Sequence, residues 1–319
     1  MSRDADGGVS LAHLPLPLFA ATMGLAGLAL VWHESHAAWG WPALAGDTVA
    51  VLAAVSFVAM AVAYALKGAL HPQAAWQELS HPVRINFLPA ISISLILLGM
   101  LAEAEPLASW LWGSGAALHL AFMLAIATSW LMRQLELTAL NPAWFIPAVG
   151  NVLVPLPAAE SHPEIAWFFF SVGIFFWLIL MTLLYYRLIF APNLPGFLLP
   201  TLFILLAPPA VGYLAWVALI DGGDPGIVGR LLYYKALFTF LLLLVQVPRL
   251  VRLPYYPSWW GYTFPLAAFC LASHHFVATS LDGGGRGVML LAALVTLVIG
   301  VVFVATLWKL LTGALLRPE

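Results

Sequence analysis

Charge is what this chain has least of. Asp, Glu, Lys and Arg together make up 8% of its 319 residues, where a soluble domain carries about a quarter. That excludes a fully hydrated surface and a basic face for nucleic acid. Cysteine is nearly missing too: Cys270 stands alone, which rules out an intrachain disulfide framework and a cysteine metal cluster. There is no P-loop, no metalloprotease helix and no Asp-rich diphosphate motif, so an ATP-driven pump and a membrane enzyme both lack support. No cofactor and no metal are expected. Loops are short and leave no room for a soluble catalytic domain.

What the chain has in abundance is hydrocarbon. Apolar residues are 63% of the total and the mean hydropathy is +0.98. Charge-free runs such as Thr48–Leu66, Ile165–Tyr186 and Val288–Trp308 reach the roughly 20 residues that span a bilayer. The pattern predicts an all-α membrane protein in one transmembrane domain over residues 1–319. Ten helices are expected at about 14–34, 45–68, 82–102, 107–132, 142–159, 163–188, 196–220, 228–249, 257–281 and 286–312. Ten spans put both termini on one side, together with Arg3, Lys67, Arg84, Arg133, Arg187, Arg249, Arg252, Lys309 and Arg317. The other side keeps only Arg230 and Arg286 amid many acids. By the positive-inside rule both termini are expected in the cytoplasm of a multi-pass plasma (inner) membrane protein. The mixed charge of Met1–Ser10 argues against a cleavable signal peptide.

Proline divides the helices into two kinds. Pairs occur at Pro15/Pro17, Pro82/Pro89, Pro142/Pro147, Pro195/Pro200 and Pro257/Pro265, while the runs between are proline-free inside. From Pro15 onward the first members lie 67, 60, 53 and 62 residues apart, about one helical hairpin, so five hairpins repeat in parallel around an axis along the membrane normal. Proline breaks the helical ladder, and within a bilayer the freed groups survive only when buried in protein or facing water. Five broken helices therefore form an inner ring and five smooth ones an outer shell, which is the plan of a pore. Helix starts tolerate proline, which accounts for the first of each pair but not for the deeper second, nor for Pro208/Pro209.

None of the fourteen acids falls near the middle of a predicted helix, and proton- or sodium-coupled carriers usually place carboxylates there. An anion pore needs none. Its lining is expected from the kink prolines Pro89, Pro147, Pro200, Pro208 and Pro265, the aromatics Phe87 and Phe145, and the weakly polar Thr22, Asn86, Ser92, Asn151, Thr201 and Thr263. Small polar residues also hold membrane helices together. His119, His274 and His275 invite a haem or metal reading, but adjacent histidines point about 100° apart on a helix. Lys235 is placed to snorkel toward the interface.

The segments Trp259-Trp260-Gly261-Tyr262-Thr263-Phe264-Pro265, His81-Pro82-Val83-Arg84 and Asn141-Pro142-Ala143-Trp144-Phe145-Ile146-Pro147-Ala148 resemble the tellurite-resistance/dicarboxylate transporter (TDT) family, which includes TehA-like proteins and the plant slow-type anion channels. The resemblance covers about residues 12–312. It implies five hairpins about a quasi-fivefold axis, a homotrimer with one pore per subunit, and Phe264 as the aromatic plug. It also implies small inorganic anions such as chloride and nitrate as the passengers of a gated channel. The alternative within the family is a secondary carrier or exporter for dicarboxylate, sulfite or tellurite-type oxyanions. A carrier calls for a fixed cation deep in the broken helices, and Arg84 sits only at a helix mouth.

Overall fold

The computed structural model describes residues 9–281 and 285–317. Helices follow one another as α1 (a 3-10 turn Leu16–Phe19 continued by Ala20–Trp39), α2 (Ala43–Leu70), α3 (Pro72–Ser80) and α4 (Arg84–Phe87, then Ala90–Leu101). After them come α5 (Glu105–Met132), α6 (Pro142–Ala158), α7 (Pro163–Phe190) and α8 (Gly196–Leu206, then Ala207–Leu219). The last are α9 (Gly226–Leu250), α10 (Pro257–Tyr262, then Thr263–Ser280) and α11 (Gly285–Leu311). No strand occurs among the described residues. Eight of these helices are long and apolar enough to cross a membrane, and α6 is a shorter apolar one. The chain is an all-α membrane protein. One element was not foreseen: the stretch after α2, read as loop, folds into α3, with Pro72 in its first turn where a missing N–H does no harm.

The proline pattern acts through the 3-10 helix. Segments α1, α4, α6, α8 and α10 all begin with or contain 3-10 turns, the longest being Gly196–Leu206 around Pro200. Tighter winding re-pairs the backbone where proline removes a donor. Among the described residues these segments close a cycle: α1 packs on α4, α4 on α6, α6 on α8, α8 on α10 and α10 on α1. Each smooth helix lies outside, seated on its own broken partner and on the next one round, as α2 does on α1 and α4. The apolar windows of α1, α4 and α8 are 78%, 61% and 72% buried, against 6% for α2 and 28% for α5 and α11. On α2 the exposed stripe Val51, Val55, Val58, Val62, Leu66 recurs at helical spacing, a face suited to acyl chains.

Contact within the cycle relies on small residues, because lipid tails remove the hydrophobic gain between helices. A Cβ at Gly24 of α1 would collide with Thr263 Oγ1 of α10, and one at Gly27 would lie 3.3 Å from Phe264 Cδ2. On the face where α1 begins and α11 ends, Ser10 N–H donates to Leu316 O at 2.9 Å. On this terminal face lies a buried ionic network. Lys67 Nζ at the end of α2 donates to Glu78 Oε2 of α3 at 2.6 Å and to Leu14 O at 2.7 Å. Glu78 Oε1 accepts from Leu16 N–H at 2.8 Å and Oε2 from Tyr64 OH at 3.1 Å. One of the orphan donors that open α1 is thus capped by a carboxylate from another helix.

Both contacts can be tested by thermal unfolding in detergent. Glu78→Gln leaves a buried ammonium without its counter-charge and is expected to cost about 3–5 kcal/mol; Lys67→Met/Glu78→Met should recover most of that loss. Gly24→Val, forced against Thr263, is expected to cost about 1–3 kcal/mol. Parental melting of Glu78→Gln would refute the network's role, and parental melting of Gly24→Val would refute the close approach.

Candidate functional site

The five broken segments converge on one cavity of about 40 Å³. Pro17 and Met23 reach it from α1, Phe87 and Ile93 from α4, Phe145, Val149 and Gly150 from α6, Ile204 and Ala207 from α8, and Trp260, Gly261, Phe264 and Pro265 from α10. The volume admits a few waters at most, and apolar walls of this kind stay dry. Among the described residues Ser258 is the one hydroxyl on the wall, and it is occupied: Oγ donates to Phe197 O. That carbonyl is the one Pro200, lacking an N–H, cannot satisfy three residues on in a 3-10 turn. A break in α8 is therefore closed by a side chain from α10.

The weakly polar residues expected on the lining are also bonded to backbone carbonyls or to a neighbouring hydroxyl. Ser92 Oγ donates to Pro89 O at 2.8 Å, Thr201 Oγ1 to Leu198 O at 2.5 Å and Thr263 Oγ1 to Trp260 O at 2.8 Å. Asn86 Nδ2 donates to Pro82 O at 2.8 Å, and Asn151 Nδ2 to Pro147 O at 2.9 Å and Ala148 O at 3.1 Å. Thr22 Oγ1 meets Ser56 Oγ of α2 at 3.5 Å. All six side chains are buried, and the structure sets them behind the wall rather than on it. Among the expected residues, Phe87, Phe145, Phe264 and Pro265 reach the cavity; Pro89, Pro147, Pro200 and Pro208 shape the backbone around it without lining it.

Two residues outside the expected lining hold the site in place: His119, which invited a haem or metal reading, and Thr306, which the sequence did not single out. His119, fully buried on α5, accepts or donates at Nδ1 with Ser92 Oγ at 2.9 Å, while Nε2 contacts Pro147 O at 2.9 Å. A carbonyl only accepts, so Nε2 carries a proton. The imidazole thus ties the kink of α4 to that of α6. Thr306 of α11 accepts from Trp260 Nε1 at 3.0 Å and meets Tyr255 OH at 2.8 Å, which pins the start of α10. Their partners lie 28 and 46 residues away in the chain, beyond the reach of any local pattern.

Phe264 occupies the position between Thr263, bonded back to Trp260, and Pro265, which carries no N–H. The ring is buried against Gly27. Among the described residues no carboxylate, lysine or arginine lines the cavity. Charges gather at the ends instead. On the terminal face His81 Nδ1 accepts from Val83 N–H at 3.1 Å, and burial, with Arg84 beside it, holds its pKa below the usual histidine value. At the far ends His274 faces Glu34 Oε2 at 3.6 Å while His275 Nδ1 meets Tyr213 OH at 2.9 Å. The adjacent histidines do point apart. Lys235 does not turn to the nearer interface: Nζ donates to Thr239 Oγ1, one turn further along α9.

The profile of the SLAC1 family, described as voltage-dependent anion channel, matches residues 13–307. The S-type anion channel SLAH2 of Arabidopsis thaliana is 29% identical over 286 residues, covering 82% of this chain and 52% of the relative. SLAH3 from the same plant is 28% identical over 311 residues, 93% of this chain and 48% of the relative. The tellurite resistance protein TehA homolog of Haemophilus influenzae is 24% identical over 308 residues, 94% of this chain and 92% of the relative. The chain spans about half the length of the two plant relatives. The motifs around Phe264, Pro82 and Pro142 resembled this same group, and with the profile covering nearly all spans the conclusion is direct: the chain belongs to the SLAC1 voltage-dependent anion channel family.

Proposed function

We propose that this protein is a gated channel for small monovalent anions, chloride and nitrate among them, with Phe264 closing a central pore in each subunit. The observation that carries the reading is the dry cavity bounded by all five broken segments, with the Phe264 ring on its wall beside a kink. A hydrophobic constriction gates by dewetting. In the closed state an ion would have to shed its water into a chamber that offers no compensating charge. Swinging one ring aside widens the path without breaking any hydrogen bond. The names of the plant relatives support anion passage.

On this reading the ten spans form five hairpins about a quasi-fivefold axis, both termini face the cytoplasm, and the subunits assemble as homotrimers in the plasma membrane. Pro89, Pro147, Pro200, Pro208 and Pro265 hold the inner segments bent. When the pore opens, Thr22, Asn86, Ser92, Asn151, Thr201 and Thr263 lie close enough behind the wall to offer dipoles. The second reading is a carrier or exporter for dicarboxylate, sulfite or tellurite-type oxyanions, and the name of the TehA homolog, a tellurite resistance protein, bears on the last of these alone. A carrier needs a saturable site, and the cavity wall offers no cation for one.

Phe264→Ala is expected to raise chloride and nitrate current several-fold at matched surface expression, with Phe264→Leu in between. Equal currents from all three would remove Phe264 as the gate. In vesicles, flux through Phe264→Ala should follow the electrochemical gradient and stay unsaturated to high anion concentration. Saturation with counterflow exchange would instead establish the carrier.

A further inference from the structure

Arg187 stands three residues before the end of α7 and is only 2% exposed. Its guanidinium Nε and Nη1 are buried without a hydrogen-bond partner, and no carboxylate forms an ion pair with it among the described residues. Arginine does not give up its proton in proteins. It cannot enter an apolar interior as a neutral base, and an isolated buried charge is strongly unfavourable. Something negative must accompany it.

The first hairpin shows the same position answered from within. Lys67 also stands three residues before the end of a 28-residue helix, as Arg187 does. There α3 follows and delivers Glu78 onto the ammonium at 2.6 Å. After α7 the chain runs Ala191-Pro192-Asn193-Leu194-Pro195, with no helix and no acid. The third hairpin holds the buried cation but not its anion.

The neighbourhood follows from register. Phe170, Gly173, Trp177, Leu180, Leu184 and Arg187 form one buried stripe of α7. A Cβ at Gly173 would collide with Val152 of α6, and one at Gly212 of α8 would lie 3.4 Å from Ile174. α7 packs on α6 from Phe145 onward and on the Ala207–Leu219 part of α8; extrapolated antiparallel from Gly173, that register carries Arg187 toward the starts of both helices. Phe145 near the start of α6 and Ile204 in the third turn of α8 line the cavity.

We infer that Arg187 is a binding site for a small inorganic anion, a halide or a nitrate-like oxyanion, set between α6, α7 and α8 on the terminal face. The guanidinium supplies charge and N–H donors, and the ion supplies the acceptor that the chain omits. The site lies beside the passage rather than on the cavity wall, and it holds an anion next to the mouth. The choice of a small ion over a phospholipid phosphate rests on the channel reading above.

The test uses full-length protein in detergent with gluconate as the only anion. Added bromide or nitrate is expected to raise the parental melting temperature by a few degrees. In Arg187→Gln the apparent affinity should weaken on the order of ten- to a hundredfold, and Arg187→Lys should retain part of the effect. Arg187→Met should melt no lower than the parent in gluconate, since an uncompensated charge has been removed; a large loss there would mean a structurally paired arginine and overturn the site. Identical bromide dependence in Arg187→Gln and parent would also overturn it. So would a full shift from phosphatidylglycerol alone with none added by bromide, which would assign the place to a lipid phosphate. Anomalous scattering from bromide-soaked parental crystals needs no variant: a peak at Arg187 supports the site and its absence overturns it. Because these readouts do not require conduction, an intact bromide shift in a non-conducting protein would sink the channel reading alone.

Discussion

Pairing of backbone N–H and C=O groups away from water governs this structure. In an apolar surrounding each unpaired group costs several kcal/mol, yet the chain places proline pairs in five spans. The tension is eased by 3-10 winding at the proline sites and by donors lent across segments, as Ser258 lends to Phe197, while hydroxyl and amide side chains bond further carbonyls within one turn. Bent backbone then tolerates burial. The smooth helices, whose prolines fall only in a first or last turn, form the outer layer.

The same accounting explains why the cavity is apolar. Its nearest polar side chains are committed to the kinks, so carbon faces the interior. The site is held by links around the Phe264 ring: His119 spans two kinks, Thr306 anchors the start of α10, and glycines bring α1 against Thr263 and Phe264. On the proposed reading, opening needs a rotamer change at a single phenylalanine, while the frame keeps its hydrogen bonds.

Charge is handled by separation. Lys235 inside α9 apart, acids and bases collect toward the ends of the spans, and buried Lys67 is compensated locally by Glu78, Leu14 O and the Tyr64 ring. Arg187 repeats the position without the compensation. In a protein whose relatives are named for anion passage, an omitted partner and an external one amount to the same electrostatic solution.

Much of this could be read from the amino acids alone. Low charge, long apolar runs and paired prolines are local properties, and they suffice for an all-α membrane protein with alternating bent and straight helices. The motif around Phe264 pointed to the family and to the ring on the cavity wall. Pairing was out of reach. Thr22, Asn86, Ser92, Asn151, Thr201 and Thr263 looked like lining because a small polar side chain in a membrane helix can face a cavity or satisfy a carbonyl, and which one it does depends on backbone breaks and rotation. His119, Thr306 and Glu78 meet partners 28, 46 and 62 residues away, distances at which no periodicity carries information. Composition and spacing determined the class and the bends, because helix formation and proline geometry act within a few residues. The tertiary structure alone decided which groups meet, because only the closed cycle of segments brings each unpaired donor to an acceptor or leaves it, as at Arg187, without one.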